Sequence, residues 1–264
     1  MPRWRRVVSE LSLASLALGG RVLLLGFERI FVKRTGQDRD ALASSSVFFL
    51  ATGLLAVPLV LWRGWRWSPD VAWAFATGAV YSVAFTLYVY SLSRGEASLV
   101  TPLYNLNVFF LLVLAFLVLG EPITWLKVAG LAVLVLGAGL LEPGGRLFVN
   151  YRHLASRPAL AMLGTSMLIA VGRAIDGRAV RAEADPVTYA AVMNWVVAGY
   201  ITLAALARGR GRDIAALVRE RPAPALAAGF CNFYSYALLL VAFLTFDVSV
   251  AEPASMLGLS LIHI

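Results

Sequence analysis

Residues 78–102 read GAVYSVAFTLYVYSLSRGEASLVTP, and residues 229–253 read GFCNFYSYALLLVAFLTFDVSVAEP. With a shift of 151 positions and no gap, Gly78 falls on Gly229, Glu96 on Asp247, Ser98 on Ser249 and Pro102 on Pro253. A shift of 144 sets Gly20, Arg29 and Arg34 on Gly164, Arg173 and Arg178. Chance alignment of apolar sequence accounts for matched Leu and Ala. It is the weaker account of Gly, an acid, Ser and Pro matched in one register. The repeated unit spans five apolar runs, and an odd number turns the second copy upside down relative to the first. That is the architecture of inverted-repeat transporters.

The runs themselves set the solvent. Apolar stretches of about 20 residues, enough to cross a hydrocarbon core about 30 Å thick, recur at 11–32, 43–62, 71–93, 97–119, 123–141, 158–178, 187–207 and 223–244, and a ninth begins near Val248. Short connectors rich in Gly, Pro and Arg part them, such as Gly120-Glu121-Pro122 and Arg208-Gly209-Arg210. Hydrophobic residues make up 60% of the chain, charged residues 14%, and mean hydropathy is +0.78. Soluble domains are about 45–50% apolar and about 25% charged, so lipid is the medium for most of this surface. The runs show no alternation of period two, which leaves helices over a barrel.

Net charge is +8, but the arginines are scattered over connectors and do not form a polyanion-binding face, so no nucleic-acid partner is expected. Cys231 is the one cysteine. That excludes an intramolecular disulfide and a Cys-based metal cluster, and its apolar setting reads as packing. Met1-Pro-Arg-Trp-Arg-Arg6 and the following run resemble a signal peptide, yet the run continues past Arg21 to Val32, so we read an uncleaved first span. With the N-terminus taken as cytoplasmic, eight basic residues fall inside and twelve outside. The positive-inside rule therefore leans to the opposite orientation. Five of the twelve lie in one connector.

Two complete units require ten spans. The sequence is expected to divide into a first five-helix repeat over 1–145 and an incomplete second over 146–258. Leu259–Ile264 reads like translated sequencing adapter, a non-native tail that truncates the fold in its ninth helix.

One block is more specific. Ala97-Ser-Leu-Val-Thr-Pro102, an apolar span, Leu119-Gly-Glu-Pro-Ile-Thr-Trp-Leu-Lys-Val-Ala-Gly130 and Val133-Leu-Val-Leu-Gly137 resemble the EamA-type drug/metabolite transporters. Val250-Ala-Glu-Pro253 resembles the Glu-Pro at the matching place of the second repeat. The resemblance implies two inverted five-helix bundles, a central cavity, and movement of a metabolite by alternating access. It leaves the substrate open. Gly19-Gly20-Arg21 stands where such proteins carry a Trp-Gly or similar small pair, and the charge is a departure.

Charges inside spans cost about 2.5–3.5 kcal/mol each on insertion scales and so face cavities or partners. Arg21 lies mid-span. Glu28 follows seven residues later on the same helical face, and Arg29 projects from another side. The functional reading is a polar stripe along a cavity; the bland one is that Glu28 and Arg29 mark an interfacial end. Arg173 and Asp176, spaced i,i+3, form either a binding pair or a structural one. Tyr81 and Phe85 with their repeat mates Asn232 and Tyr236 form an aromatic and amide face, for ligand stacking or for packing. Tyr104, Asn105 and Asn107 follow Pro102 and need hydrogen-bond partners. Pro102 and Pro253 interrupt helices at matching places, a pointer to a transporter site. Glu252, beside Pro253, is the candidate ionisable coupling group of the second half.

Enzyme signatures are absent: HExxH, GxSxG, DxxD, a P-loop and CxxC do not occur, and His153 sits in a connector. We expect no enzyme, no cofactor and no metal. The expectation is an all-α integral membrane protein of the inner membrane, a secondary transporter of a small organic solute coupled to protons or exchange. Oligomeric state is open. The alternatives are an uncoupled facilitator and a membrane-embedded protein without transport.

Overall fold

The computed structural model describes residues 3–94, 103–140 and 156–255, and these are helices and short turns without a strand. In chain order they are α1 (Arg3–Gly36), α2 (Ala41–Arg63), a 3₁₀ turn (Pro69–Ala72), α3 (Trp73–Arg94), α4 (Asn107–Leu119), α5 (Trp125–Leu140), α6 (Arg157–Arg181), α7 (Pro186–Ala207), α8 (Gly211–Glu220), α9 (Pro222–Phe243) and α10 (Val248–Ser255). Pro102, the expected boundary at 145/146 and the tail 259–264 lie outside the described residues.

Local chemistry sets the ends. Asp40 accepts from Ala43 N at 2.9 Å to open α2, and Asp185 accepts from Thr188 N at 3.0 Å to open α7, each satisfying an orphan donor of the first turn. Pro sits in the first turn of α6, α7 and α9, where its missing N–H costs nothing. Gly120 ends α4 with φ +67°, in the left-handed region that a side chain resists.

Among the described residues, six apolar helices are long enough to cross a membrane: residues 11–36, 41–63, 69–91, 157–181, 186–207 and 222–243. Their outward side chains are apolar; Leu16, Leu61 and Leu203 stand mostly exposed. In water such a surface would aggregate, whereas in lipid it is the ordinary rim of a bundle. The core lies between α3, α6, α7 and α9, filled by Tyr189, Phe233, Phe243 and Met162. α1 packs chiefly on α9 and runs antiparallel to it. Arg221 at the start of α9 donates to the carbonyls of Arg34 (2.9 Å) and Gln37 (2.8 Å) at the end of α1. Farther along, Leu238 of α9 lies against Gly20 of α1.

One element departs from the sequence reading. The arginine-rich stretch after Ala207, read as a bare connector, contains α8. Leu217 of α8 is buried against Ala43, Val47 and Ala225. A ten-residue helix with a narrow apolar face hides among arginines that, by count alone, spell a loop.

Candidate functional site

A cavity of about 560 Å³ opens between α1, α2, α3, α6, α7, α9 and α10. On α1 it is lined by Arg21, Leu25, Glu28, Val32 and Thr35, one helical face. It runs from Arg21 to Gly36, roughly 22 Å at 1.5 Å per residue. Arg39, Ser44 and Ser45 lie at the α1–α2 end; among the described residues no part of α1 before Arg21 lines it. The cavity is therefore one-sided.

Its floor is ionic. Arg21, 5% exposed, donates from Nη1 to Ser235 Oγ at 2.9 Å, and its Nε has no hydrogen-bond partner. Arg173 Nε stands 3.1 Å from Glu252 Oε1, and Nη1 stands 3.6 Å from Asp176 Oδ2. The Arg173 guanidinium also lies over the rings of Tyr236 (5.0 Å) and Tyr81 (5.4 Å), a cation–π arrangement. Glu252 is 2% exposed, and its Oε2 is buried with no hydrogen bond.

Asp176 lies behind this floor, wholly buried. Tyr81 and Tyr236 donate to Oδ2 at 2.8 and 2.6 Å, and Tyr189 donates to Oδ1 at 3.0 Å. Three hydroxyl donors fill three of the roughly four lone-pair sites of this carboxyl group. Gly172 makes the approach possible: a Cβ there would stand 2.2 Å from the Tyr81 ring. Higher up, Asn232 Nδ2 donates to Glu28 Oε1 at 3.4 Å. Phe49 and Phe85 meet edge to face at 4.8 Å, and Tyr88 and Tyr104 at 5.6 Å, forming an aromatic wall.

The opposite face is closed by a second ionic cluster. Glu121, 3% exposed, accepts from Val248 N (2.7 Å), Ser249 N (3.1 Å), Ser249 Oγ (2.5 Å) and Arg181 Nη2 (2.8 Å). It thereby caps the N-terminus of α10 with a carboxylate, the sign the helix dipole favours. Lys127 donates to Asp247 at 2.7 Å, and Arg181 Nε donates to Phe243 O at 3.2 Å. Arg181 lies eight residues beyond Arg173 on α6, roughly 12 Å farther from the mouth.

The pattern of the EamA-like transporter family matches residues 13–142 of this sequence. Over those residues the chain belongs to the EamA-like transporter family. As an EamA-like protein it is a multi-pass membrane protein of the drug/metabolite transporter type, a class that fits a small-molecule substrate and a lipid bilayer. The EamA-like chain is similar to a crystal structure of a protein at TM-score 0.68 and 17% identity, over 96% of this chain and 88% of the other; the likeness is one of fold. Among curated proteins none matches.

Of the residues singled out in this EamA-like sequence, Arg21, Glu28, Tyr81, Phe85, Tyr104, Arg173, Asn232, Tyr236 and Glu252 line the cavity. Asp176 does not; it holds the tyrosines that do. Asn105 sits in the turn before α4, away from the lining, and the Arg29 side chain lies outside the described residues. Pro253 lies inside α10 beside Glu252. Sequence reasoning missed Asn194, which lines the cavity with its Oδ1 buried and unbonded. An amide inside an apolar span was the available signal. It also missed Tyr189, Ser235 and the capping role of Glu121, for which long-range contacts are the only signal.

Proposed function

We propose that this chain is a secondary transporter moving a small organic metabolite or drug across the inner membrane by alternating access. In this reading, two inverted repeats, 1–145 and 146–258, rock about the cavity between them. The observation that carries it is a one-sided cavity with buried guanidinium and carboxylate groups at its floor, inside a bundle with an apolar rim. Ionisable groups at that depth are costly unless they serve a solute or a coupling ion. Arg21, Glu28, Tyr81, Phe85, Tyr104, Asn232 and Tyr236 contact the solute. Glu252, paired with Arg173, is the group through which a proton or an exchanged solute is coupled. The Glu121–Arg181–Lys127–Asp247 cluster closes the far face and must part when the cavity opens there.

Reconstitution in proteoliposomes tests this. A solute panel is measured for uptake with and without a proton gradient, and by counterflow. Accumulation above equilibrium that Glu252→Gln abolishes is the expected result. Flux that only equilibrates would favour an uncoupled facilitator, and no solute-dependent flux across the panel would remove the transport reading.

A further inference from the structure

The two guanidiniums at the cavity floor are not equally served. Arg173 has two carboxylates within 4 Å, at 3.1 and 3.6 Å, and two tyrosine rings at 5.0 and 5.4 Å, although its Nε and Nη1 make no hydrogen bond. Arg21 is buried at least as deeply, yet its guanidinium donates to the neutral hydroxyl of Ser235, and among the described residues no carboxylate comes within ion-pair distance of it. Its Nε is buried without a partner while the residue lines the cavity. A buried cation with donors to spare, facing a cavity of low dielectric, is an anion site awaiting its ligand.

The surroundings define the rest of that ligand. Phe48, Phe49 and Phe85 line the cavity together with Tyr88 and Tyr104, the aromatic walls of a slot for a flat or apolar body. The volume of about 560 Å³ lies within the range of about 300–1,000 Å³ usual for small-ligand sites. A guanidinium matches a carboxylate through two parallel N–H donors, which orients the anion as well as holding it.

We infer that the cavity takes a small aromatic carboxylate, its anionic group seated on Arg21 and its ring in the Phe49–Phe85–Tyr104 slot. The inference rests on the transport reading for its purpose but not for its test. The charged and titratable groups around the seat are Arg173, Glu252, Tyr81 and Tyr236 at the floor, with Glu28 two turns nearer the mouth. Glu252 is the nearest competitor for Arg21. An incoming carboxylate becomes the counter-ion of Arg21 and leaves Glu252 to Arg173 alone.

The test uses three probes on one skeleton: 3-phenylpropanoate, its primary amide and 3-phenylpropylamine. Binding to the chain in lipid nanodiscs is measured by equilibrium dialysis, and flux is measured separately in proteoliposomes. The expected result is carboxylate binding at least tenfold tighter than the amide, with the amine weaker still. Arg21→Gln should cut the carboxylate preference below threefold, and Arg21→Lys should retain part of it. Because the probe ranking is read on the unaltered chain, the inference stays testable even where Arg21→Gln does not fold. Equal or tighter binding of the amide or amine, no binding of any probe, or an unchanged ranking in Arg21→Gln overturns it. A carboxylate that binds but is never moved supports the anion seat and removes the transport reading. Amine flux independent of Arg21 does the reverse.

Discussion

The cavity-floor cluster and the closed-face cluster share α6 and α10 and lie roughly 12 Å apart along α6, yet they are completed differently. At the closed face, Glu121 has both carboxylate oxygens filled by backbone and side-chain donors. At the cavity floor, Arg21 Nε, Glu252 Oε2 and Asn194 Oδ1 are buried without bonds. Buried polar atoms are ordinarily satisfied, because each unsatisfied one carries a desolvation cost of about 1–3 kcal/mol. A cluster that is complete in itself stabilises a state. One that is left incomplete is arranged for something that arrives.

Substitutions that break this contrast come in a definite order. Asp176→Ala should have the largest effect. It takes the acceptor from the Tyr81 and Tyr236 hydroxyls, leaves Tyr189 its bond to Thr77, and removes one of the two carboxylates beside Arg173; loss of one partner from a buried charged network costs about 3–5 kcal/mol, read as a collapse of the melting temperature in detergent. Glu121→Ala should come next, at about 2–3 kcal/mol, because the α10 N-terminus loses its cap and Arg181 its carboxylate. A melting temperature unchanged in Glu121→Ala would mean that the closed-face cluster holds nothing together.

Gly172→Ala should cost about 1–3 kcal/mol by overpacking against Tyr81. It should also lower solute affinity, since the ring that moves is a cavity wall. Arg21→Gln sharpens the comparison from the other side. Removing an incompletely bonded buried charge should shift stability by less than about 1 kcal/mol, or raise it, while flux falls at least tenfold. A large loss of stability with flux retained would place Arg21 in the scaffold. Arg39→Ala, which removes an ion pair to Glu220 between half-exposed partners, should be the mildest at about 0–1 kcal/mol.

Much of the site was legible because charges inside apolar runs are rare. Arg21 and Glu28 stood seven apart on one face, and both line the cavity on that face. Tyr81 was picked for helical spacing and Tyr236 as the repeat mate of Phe85, and both line the cavity. Their convergence on Asp176 was not legible, since partners 95 and 60 residues apart in sequence meet only once α3, α6 and α9 have packed. Asn105 shows the converse. It was put in the site as an amide just after Pro102, but helix α4 begins two residues later and Asn105 lies away from the lining.

By itself the sequence determined the medium and the long apolar helices, though not the short α8. Long apolar runs require lipid, lipid requires helices, and Asp, Ser, Pro and Gly at their ends say where those helices start and stop, because these are local demands of backbone and solvent. The tertiary structure alone decided which charges meet, which of them are completed, and that the cavity opens on one side. Those outcomes depend on the packing of helices distant in sequence, where a few ångströms separate a satisfied carboxylate from one left waiting.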